Sequence, residues 1–160
     1  TRRSSDLPDH PELMIELSLV TEKIKRHDET ETVLRRLIEL QPNDAQAYNT
    51  LGYSLADRNV RLDEARQLIE RAVALAPQDP FIQDSLAWVM YRQGLTEQAL
   101  SVLKDAYAKR PDAEIAAHLG ELLWVRGQQQ EAARIWREGA RLNARNETLL
   151  ETWQRFGFKP

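Results

Sequence analysis

A leucine followed by a small residue occurs three times along this chain at nearly equal intervals. The pairs are Leu51-Gly52, Leu86-Ala87 and Leu119-Gly120, with leucines 35 and 33 residues apart. An alanine follows each pair, Ala65, Ala99 and Ala132, spaced 34 and 33. Seven residues further on stands a second small residue: Ala72, Ala106 and Gly139. The units then run to Pro77, Pro111 and, in the last, Ala144. Self-similarity at a fixed period of about 34 residues predicts stacked two-helix units. The small residues are where helices must come close: one in helix A, where helix B crosses it, and two in helix B, where neighbouring helices approach. Proline ends helix B because it cannot continue a helical ladder.

The punctuation fits the same units. Gly94 and Gly127 fall in the A–B turns of the second and third units, and Asn59, a usual substitute at a left-handed helix end, in that of the first. The first unit carries one extra residue between Leu51 and Ala65, so its turn, Asp57 to Asp63, is expected to be longer. Asp44, Asp79 before Pro80, Thr96, Asp112 and Asn146 are expected N-caps. A weaker unit precedes these, with Leu17-Ser18 at the Leu-small position and Thr30, Leu34 and Leu37 at the helix-B packing positions. Lys25 stands where its turn would usually have glycine. After Ala144, Leu149, Leu150, Trp153 and Phe156 recur at helical spacing and predict a final helix that covers the apolar end of the array. The expected organisation is a linker at 1–10, a degenerate repeat at 11–42, repeats at 43–77, 78–111 and 112–144, and a capping helix with tail at 145–160.

This pattern resembles the tetratricopeptide repeat (TPR) over roughly residues 11–156. The resemblance implies an all-α, right-handed superhelical solenoid of about four helix–turn–helix repeats plus the capping helix, and a protein-binding rather than catalytic role. A narrower resemblance is carried by LGYSLADR (51–58), DSLAWVMYRQG (84–94), EIAAHLGELLWVRG (114–127) and AARIWREGA (132–140). These are similar to the C-terminal repeats of bacterial periplasmic TPR lipoproteins that act as adaptors for a carboxyl-terminal processing protease. That likeness implies the protease and its cell-wall hydrolase substrates as partners. It also implies a periplasmic location, tethered to the outer membrane by a lipid outside this sequence, with a cytoplasmic location left open. The chain begins with Thr1 and is expected to be a piece of a longer protein.

In such an array the concave face is built mainly from helix A. If Leu-small takes positions 7 and 8, then positions 2, 5, 9, 12 and 13 face the groove. The expected groove residues are Gln46, Asn49, Tyr53, Ala56 and Asp57, then Phe81, Asp84, Trp88, Tyr91 and Arg92, then Glu114, Ala117, Glu121, Trp124 and Val125. The weak unit adds Ile15, Leu19, Glu22 and Lys23. Of these, Asn49, Tyr53, Asp57, Phe81, Asp84, Trp88, Tyr91, Arg92, Glu121 and Trp124 are the candidate partner-binding residues, aromatic anchors within a polar rim. Packing of Trp88, Tyr91 and Trp124 between adjacent A helices is the competing reading, as is closure of the aromatic stripe against another copy in a homo-oligomer. Trp136 and Trp153 are read as structural. The lysine and asparagine clamp by which some TPR domains hold a C-terminal carboxylate is missing: position 5 is Asn49, Asp84 and Ala117, and position 9 is Tyr53, Trp88 and Glu121.

Composition narrows the function classes. Net charge is −3, with acids and bases interleaved, so no basic field points to nucleic acid or anionic lipid. The absence of cysteine excludes disulfides, thiol nucleophiles and thiolate metal sites. No apolar run approaches the ~18 residues of a membrane span. His10, His27 and His118 form no HExxH motif, and no glycine-rich phosphate loop occurs. No cofactor, metal or catalytic residue is therefore expected. Asp84, Ser85 and His118 could approach across adjacent repeats, but the serine has neither a strained elbow nor an oxyanion donor. His118 is expected instead as a partly exposed contact between repeats.

Overall fold

The computed structural model of the protein describes residues 10–160, so all but the last residue of the linker expected at 1–10 lies outside the described residues. Among these, all regular structure is helical: α1 (Pro11–Lys23), α2 (His27–Leu40), α3 (Ala45–Asp57), α4 (Leu62–Leu75), α5 (Pro80–Arg92), α6 (Thr96–Lys109), α7 (Ala113–Val125), α8 (Gln129–Leu142) and α9 (Glu147–Phe156). The chain divides into two compact units, residues 1–77 and 78–160.

In the first unit α1 pairs with α2 and α3 with α4, while α2 lies against α3. Met14, Val33, Leu37 and Ala47 form a core cluster flanked by Ile15, Leu17 and Ile38. Ala65 and Ala72 have no solvent exposure. A methyl on Gly52 would stand 2.6 Å from Ile69 Cγ1, so α3 and α4 are in contact where the repeat demands a small side chain. The weak first pair solves the same crossing with a polar seam. Ser18, Thr21 and Thr30 are buried, and the Thr21 and Thr30 hydroxyls share a hydrogen bond of 2.7 Å.

In the second unit α5 pairs with α6 and α7 with α8, α6 lies against α7, α5 touches α7, and α9 covers α7 and α8. Trp88, Ile82, Leu103, Ile115, Leu122, Leu123 and Trp136 are fully buried. Leu149 of α9 joins Ala117 and Trp136 in a cluster that Trp124, Trp153, Phe156 and Phe158 surround. The final helix therefore closes the apolar end of the last pair.

Every A–B turn uses one device. Lys25, Asn59, Gly94 and Gly127 adopt positive φ, between 58° and 85°. The next backbone N–H then reaches back to a carbonyl of the preceding helix: Arg26 to Thr21 (2.8 Å), Val60 to Leu55 (3.0 Å), Leu95 to Met90 (2.9 Å) and Gln128 to Leu123 (2.9 Å). This is the Schellman closure, which glycine adopts with least strain. Lys25 makes the same turn without glycine. The longer first turn, 58–61 against 93–95 and 126–128, holds a second left-handed residue, Arg61.

Helices α3, α5, α7 and α9 begin on side-chain caps, whereas α1, after His10, does not. Asp44, Asp79, Asp112 and Asn146 accept from the N–H groups of Ala47, Phe81 and Ile82, Glu114, and Leu149 respectively. Thr96 corrects the sequence reading. It is the first residue of α6, and the cap position is Leu95, with no side-chain cap bond. Helices α2, α4 and α8 likewise start without one, because the left-handed turn already fixes the direction of entry.

Candidate interaction surface

The residues expected to line the groove divide into those the packing consumes and those it leaves open. In the first unit Leu19 and Asp57 are exposed and Tyr53 is half-buried. Asn49 is buried, and its side-chain oxygen Oδ1 has no hydrogen-bond partner. Ala56 is fully buried, whereas Gln46 stays exposed. Glu22 is turned to structural use: its carboxylate accepts from Ser54 Oγ at 2.9 Å and lies 3.2 Å from His27 Nδ1.

The second unit changes the expectation more. Trp88, proposed from sequence as the central groove anchor, is only 2% exposed. Its ring stacks on His118 with centroids 4.2 Å apart, packs against Tyr91 at 5.3 Å, and lies beneath the Arg92 guanidinium. Asp84 and His118 are both buried, with His118 Nδ1 2.8 and 2.9 Å from the two Asp84 oxygens. Burial pushes the Asp84 carboxyl above the usual carboxylate range, and the His118 contact works against that. His118 is thus a core residue, not the partly exposed contact anticipated. Ser85 takes no part, since its hydroxyl donates to the Phe81 carbonyl at 3.2 Å. The triad-like trio is a buried, hydrogen-bonded Asp84–His118 couple beside a serine bonded to its own helix backbone.

Glu121 is likewise not a rim charge. It is buried and receives both guanidinium nitrogens of Arg155 on α9, at 2.8 and 3.0 Å. Trp124 is half-buried, stacks on Trp136 at 5.3 Å, and is edged by Phe156 and Phe158. Trp136 is structural as expected. Trp153 is half-buried and meets Phe158 at 5.6 Å. Phe81, with the Arg110 guanidinium 5.8 Å from its ring centre, is exposed, and Tyr91 and Arg92, like Glu114 and Trp124, are half-buried. Val125 is exposed as well.

One physical cause accounts for these corrections. In the second unit α5 touches α7 and α7 touches α9, so an acid at a groove position of one helix meets a side chain of the next. Asp84 meets His118, Glu114 accepts from Thr148 Oγ1 (2.8 Å), and Glu121 holds Arg155, each partner 34 residues on. Sequence reasoning also missed Glu31. This half-buried residue of α2 accepts from Arg58 at 3.2 Å and from Arg61, with Arg35 3.5 Å away, tying α2 to the long α3–α4 turn. Burial alone would raise its carboxyl, but the arginines outweigh it and hold the group below the usual range. Among the described residues no cluster of histidine and carboxylate side chains could hold a metal ion. No helix there is long and apolar enough to cross a membrane.

The sequence model of the tetratricopeptide repeat family matches residues 26–80 and 85–146. The TPR repeat-containing protein PA4667 of Pseudomonas aeruginosa is 45% identical over 114 residues, which is 71% of this chain and 19% of that protein. The chain spans between 10% and 20% of the length of the curated relatives it matches. Among solved structures, the TPR protein TTC0263 of Thermus thermophilus superposes with a TM-score of 0.79 at 20% identity, covering 96% of this chain and 82% of that one. A tetratricopeptide repeat protein from Parabacteroides merdae gives 0.78 at 15% identity, covering 92% and 57%. At these identities the structural likeness establishes the fold alone.

Proposed function

This chain belongs to the tetratricopeptide-repeat family, and from that premise we propose that it is a non-catalytic scaffold that binds segments of partner proteins on the open side chains of its A helices. One observation carries this reading. The repeated small and apolar positions are consumed in packing, whereas Leu19, Tyr53 and Asp57 in the first unit and Phe81, Tyr91 and Arg92 in the second keep access to solvent. Aromatic and arginine side chains are the types that dominate binding energy at protein interfaces. Trp88, by contrast, is a poor probe of binding, because its truncation would open the core.

More narrowly, we propose that the protein is an adaptor for a carboxyl-terminal processing protease, tethered at the outer membrane and facing the periplasm, and that it gathers the protease with cell-wall hydrolase substrates. The four segments quoted above support this through their likeness to such adaptors. Closure of a continuous aromatic stripe against another copy has less support, because Trp88 and most of Trp124 are engaged inside the second unit.

The test immobilises the chain and offers it a purified carboxyl-terminal processing protease and, separately, a cell-wall hydrolase. Hydrolase loss is then timed with and without the chain. Capture of both, with faster degradation, is the expected result. Tyr53→Ala, Phe81→Ala and Tyr91→Ala variants with normal helical content should each weaken capture about tenfold or more. Failure to capture the protease sinks the adaptor role. Capture that all three truncations leave intact moves the binding surface away from the A helices.

A further inference from the structure

Helix α1 carries an apolar stripe that the other described residues of its unit leave largely open, although Leu17 also packs against the Met14 cluster. Leu13, Val20 and Ile24 are 56, 57 and 54% exposed, and Leu17, half-buried, completes the series. The spacing, four, three and four residues, is that of a coiled-coil seam. The same repeat positions are closed elsewhere within each unit. Leu13 and Val20 correspond to Ala47 and Ser54 on α3, and to Ile115 and Leu122 on α7; all four are buried. Helix α2 lies against α3 and α6 against α7. This face of an A helix is therefore the one the repeat uses to receive another helix.

The stripe is also self-complementary. Reversing the series Leu13, Leu17, Val20, Ile24 returns the same spacing, so two antiparallel copies of α1 would set Leu13 against Ile24 and Leu17 against Val20. Beside the stripe lie Glu16 and Lys23, both exposed and seven residues apart. In an antiparallel pair these equivalent flanking positions face each other across the seam. Glu16 of each copy would meet Lys23 of the other, two opposite-charge contacts by symmetry. A parallel, in-register pair would bring neither contact, because each flanking position would then face the residue five further on. Along the same helix the acid Glu12 stands at one end of α1 and the bases Lys25 and Arg26 at the other, which favours the same orientation.

We propose that the exposed face of α1 is an isologous interface for a second copy of this chain, formed by antiparallel pairing of the two α1 helices around a two-fold axis. This surface is separate from the A-helix residues Tyr53, Phe81 and Tyr91 invoked for partner binding, so each can fail without the other.

The test is the mass of the 160-residue chain in solution by sedimentation equilibrium, from low to high micromolar concentration. The expected result is a concentration-dependent rise toward twice the 18.5 kDa chain mass. Leu13→Asp/Val20→Asp should return it to the single-chain mass with its helical content kept, since both side chains are exposed. Leu150→Asp, at an exposed apolar site on α9, should leave the dimer unchanged. Glu16→Lys should weaken association at low salt by several fold, and Glu16→Lys/Lys23→Glu should restore it. A parent chain that stays at single-chain mass across the range overturns the proposal. So does a dimer indifferent to Leu13→Asp/Val20→Asp, or a charge swap that fails to restore what Glu16→Lys lost. A monomer whose α1 face is instead covered by another helix of a longer polypeptide counts equally against it.

Discussion

Replacing Gly120 by alanine adds one methyl group at the tightest crossing in the second unit. An ideal Cβ there would lie 2.0 Å from Trp136 Nε1, 2.3 Å from Cδ1 and 2.6 Å from Cε2. Ordinary carbon contacts sit at about 3.5–4.0 Å, so the indole would have to retreat by roughly 1.5 Å. It has little room to do so. Trp136 is fully buried, its N–H donates to the Ala117 carbonyl at 3.2 Å, and its ring is stacked on Trp124 and backed by Phe158 at 5.1 Å. Forcing a methyl into a packed core costs about 1–3 kcal/mol. Loss of the indole hydrogen bond adds about 1 kcal/mol. Against these, alanine gains about 0.5–1 kcal/mol over glycine inside a helix. The net expectation is a loss of about 1–3.5 kcal/mol, which for a chain of this length corresponds to a fall in Tm of about 2–14 °C.

Thermal melts followed by far-ultraviolet circular dichroism would read this directly, with tryptophan fluorescence reporting the displaced indole. Trp136→Leu provides the internal control. It removes the ring that the new methyl strikes, so adding Gly120→Ala to that background should cost nothing or restore a little stability through helix propensity. A Gly120→Ala protein that melts at or above the parent temperature refutes the close crossing of α7 and α8. An equal loss in both backgrounds refutes the assignment of the cost to Trp136.

Asp84→Ala should cost about 1–3 kcal/mol, because it leaves the buried His118 ring nitrogen without its carboxylate. Asp84→Asn, which keeps an acceptor, should cost less by urea unfolding, and an Asp84→Ala protein as stable as the parent would contradict the pairing. Tyr107 bonds Glu138 at 2.9 Å, and burial first, then that carboxylate, pushes its hydroxyl from 10.0 up to about 12. The fold favours the protonated phenol, so its contribution is fully present below about pH 10 and is lost as pH rises through about 12, where ionisation favours the unfolded chain. Stability should therefore fall as pH climbs from about 10 to about 12 on this account, and Tyr107→Phe should flatten that part of the profile; identical alkaline profiles would rule it out.

The fold was legible because its determinants are local or periodic. Small residues at Gly52, Ala65 and Ala72 and their counterparts announce the crossings one residue at a time, and Asp44, Asp79, Asp112 and Asn146 announce the A-helix starts. Thr96 misled because the B helices use a different device. Their entry is set by the left-handed residue before them, so a good capping side chain there is not needed. The positive φ of Lys25 could be placed only by register, since lysine carries no preference for that conformation. The candidate surface was legible only in part. Heptad-like arithmetic puts residues on a face of one helix, but whether that face meets water depends on the next helix, some 34 residues away.

That dependence was nevertheless written in the sequence, in a form that a search for aromatic anchors passes over. Asp84 and His118, Glu121 and Arg155, and Glu114 and Thr148 each stand one repeat period apart and each unites groups that satisfy one another. A carboxylate on a groove position whose counterpart one period on is a histidine, arginine or hydroxyl is thereby marked as a rung between A helices. A groove position whose counterpart offers no partner is left for something else to bind. Tyr91 illustrates the second case: the residue 34 on, Val125, is exposed and apolar, and Tyr91 itself remains half open. Burying a charged side chain is costly unless it is paired, so carboxylates on such faces are drawn into rungs first. Aromatic rings carry no such obligation: Trp88 and Trp136 are consumed in packing, whereas Phe81 and Tyr91 keep access to solvent. In the second unit, then, the acids Asp84, Glu114 and Glu121 report on the packing of the protein with itself, and the side chains that no neighbouring helix claims, Phe81 and Tyr91 among them, are the ones left for a partner.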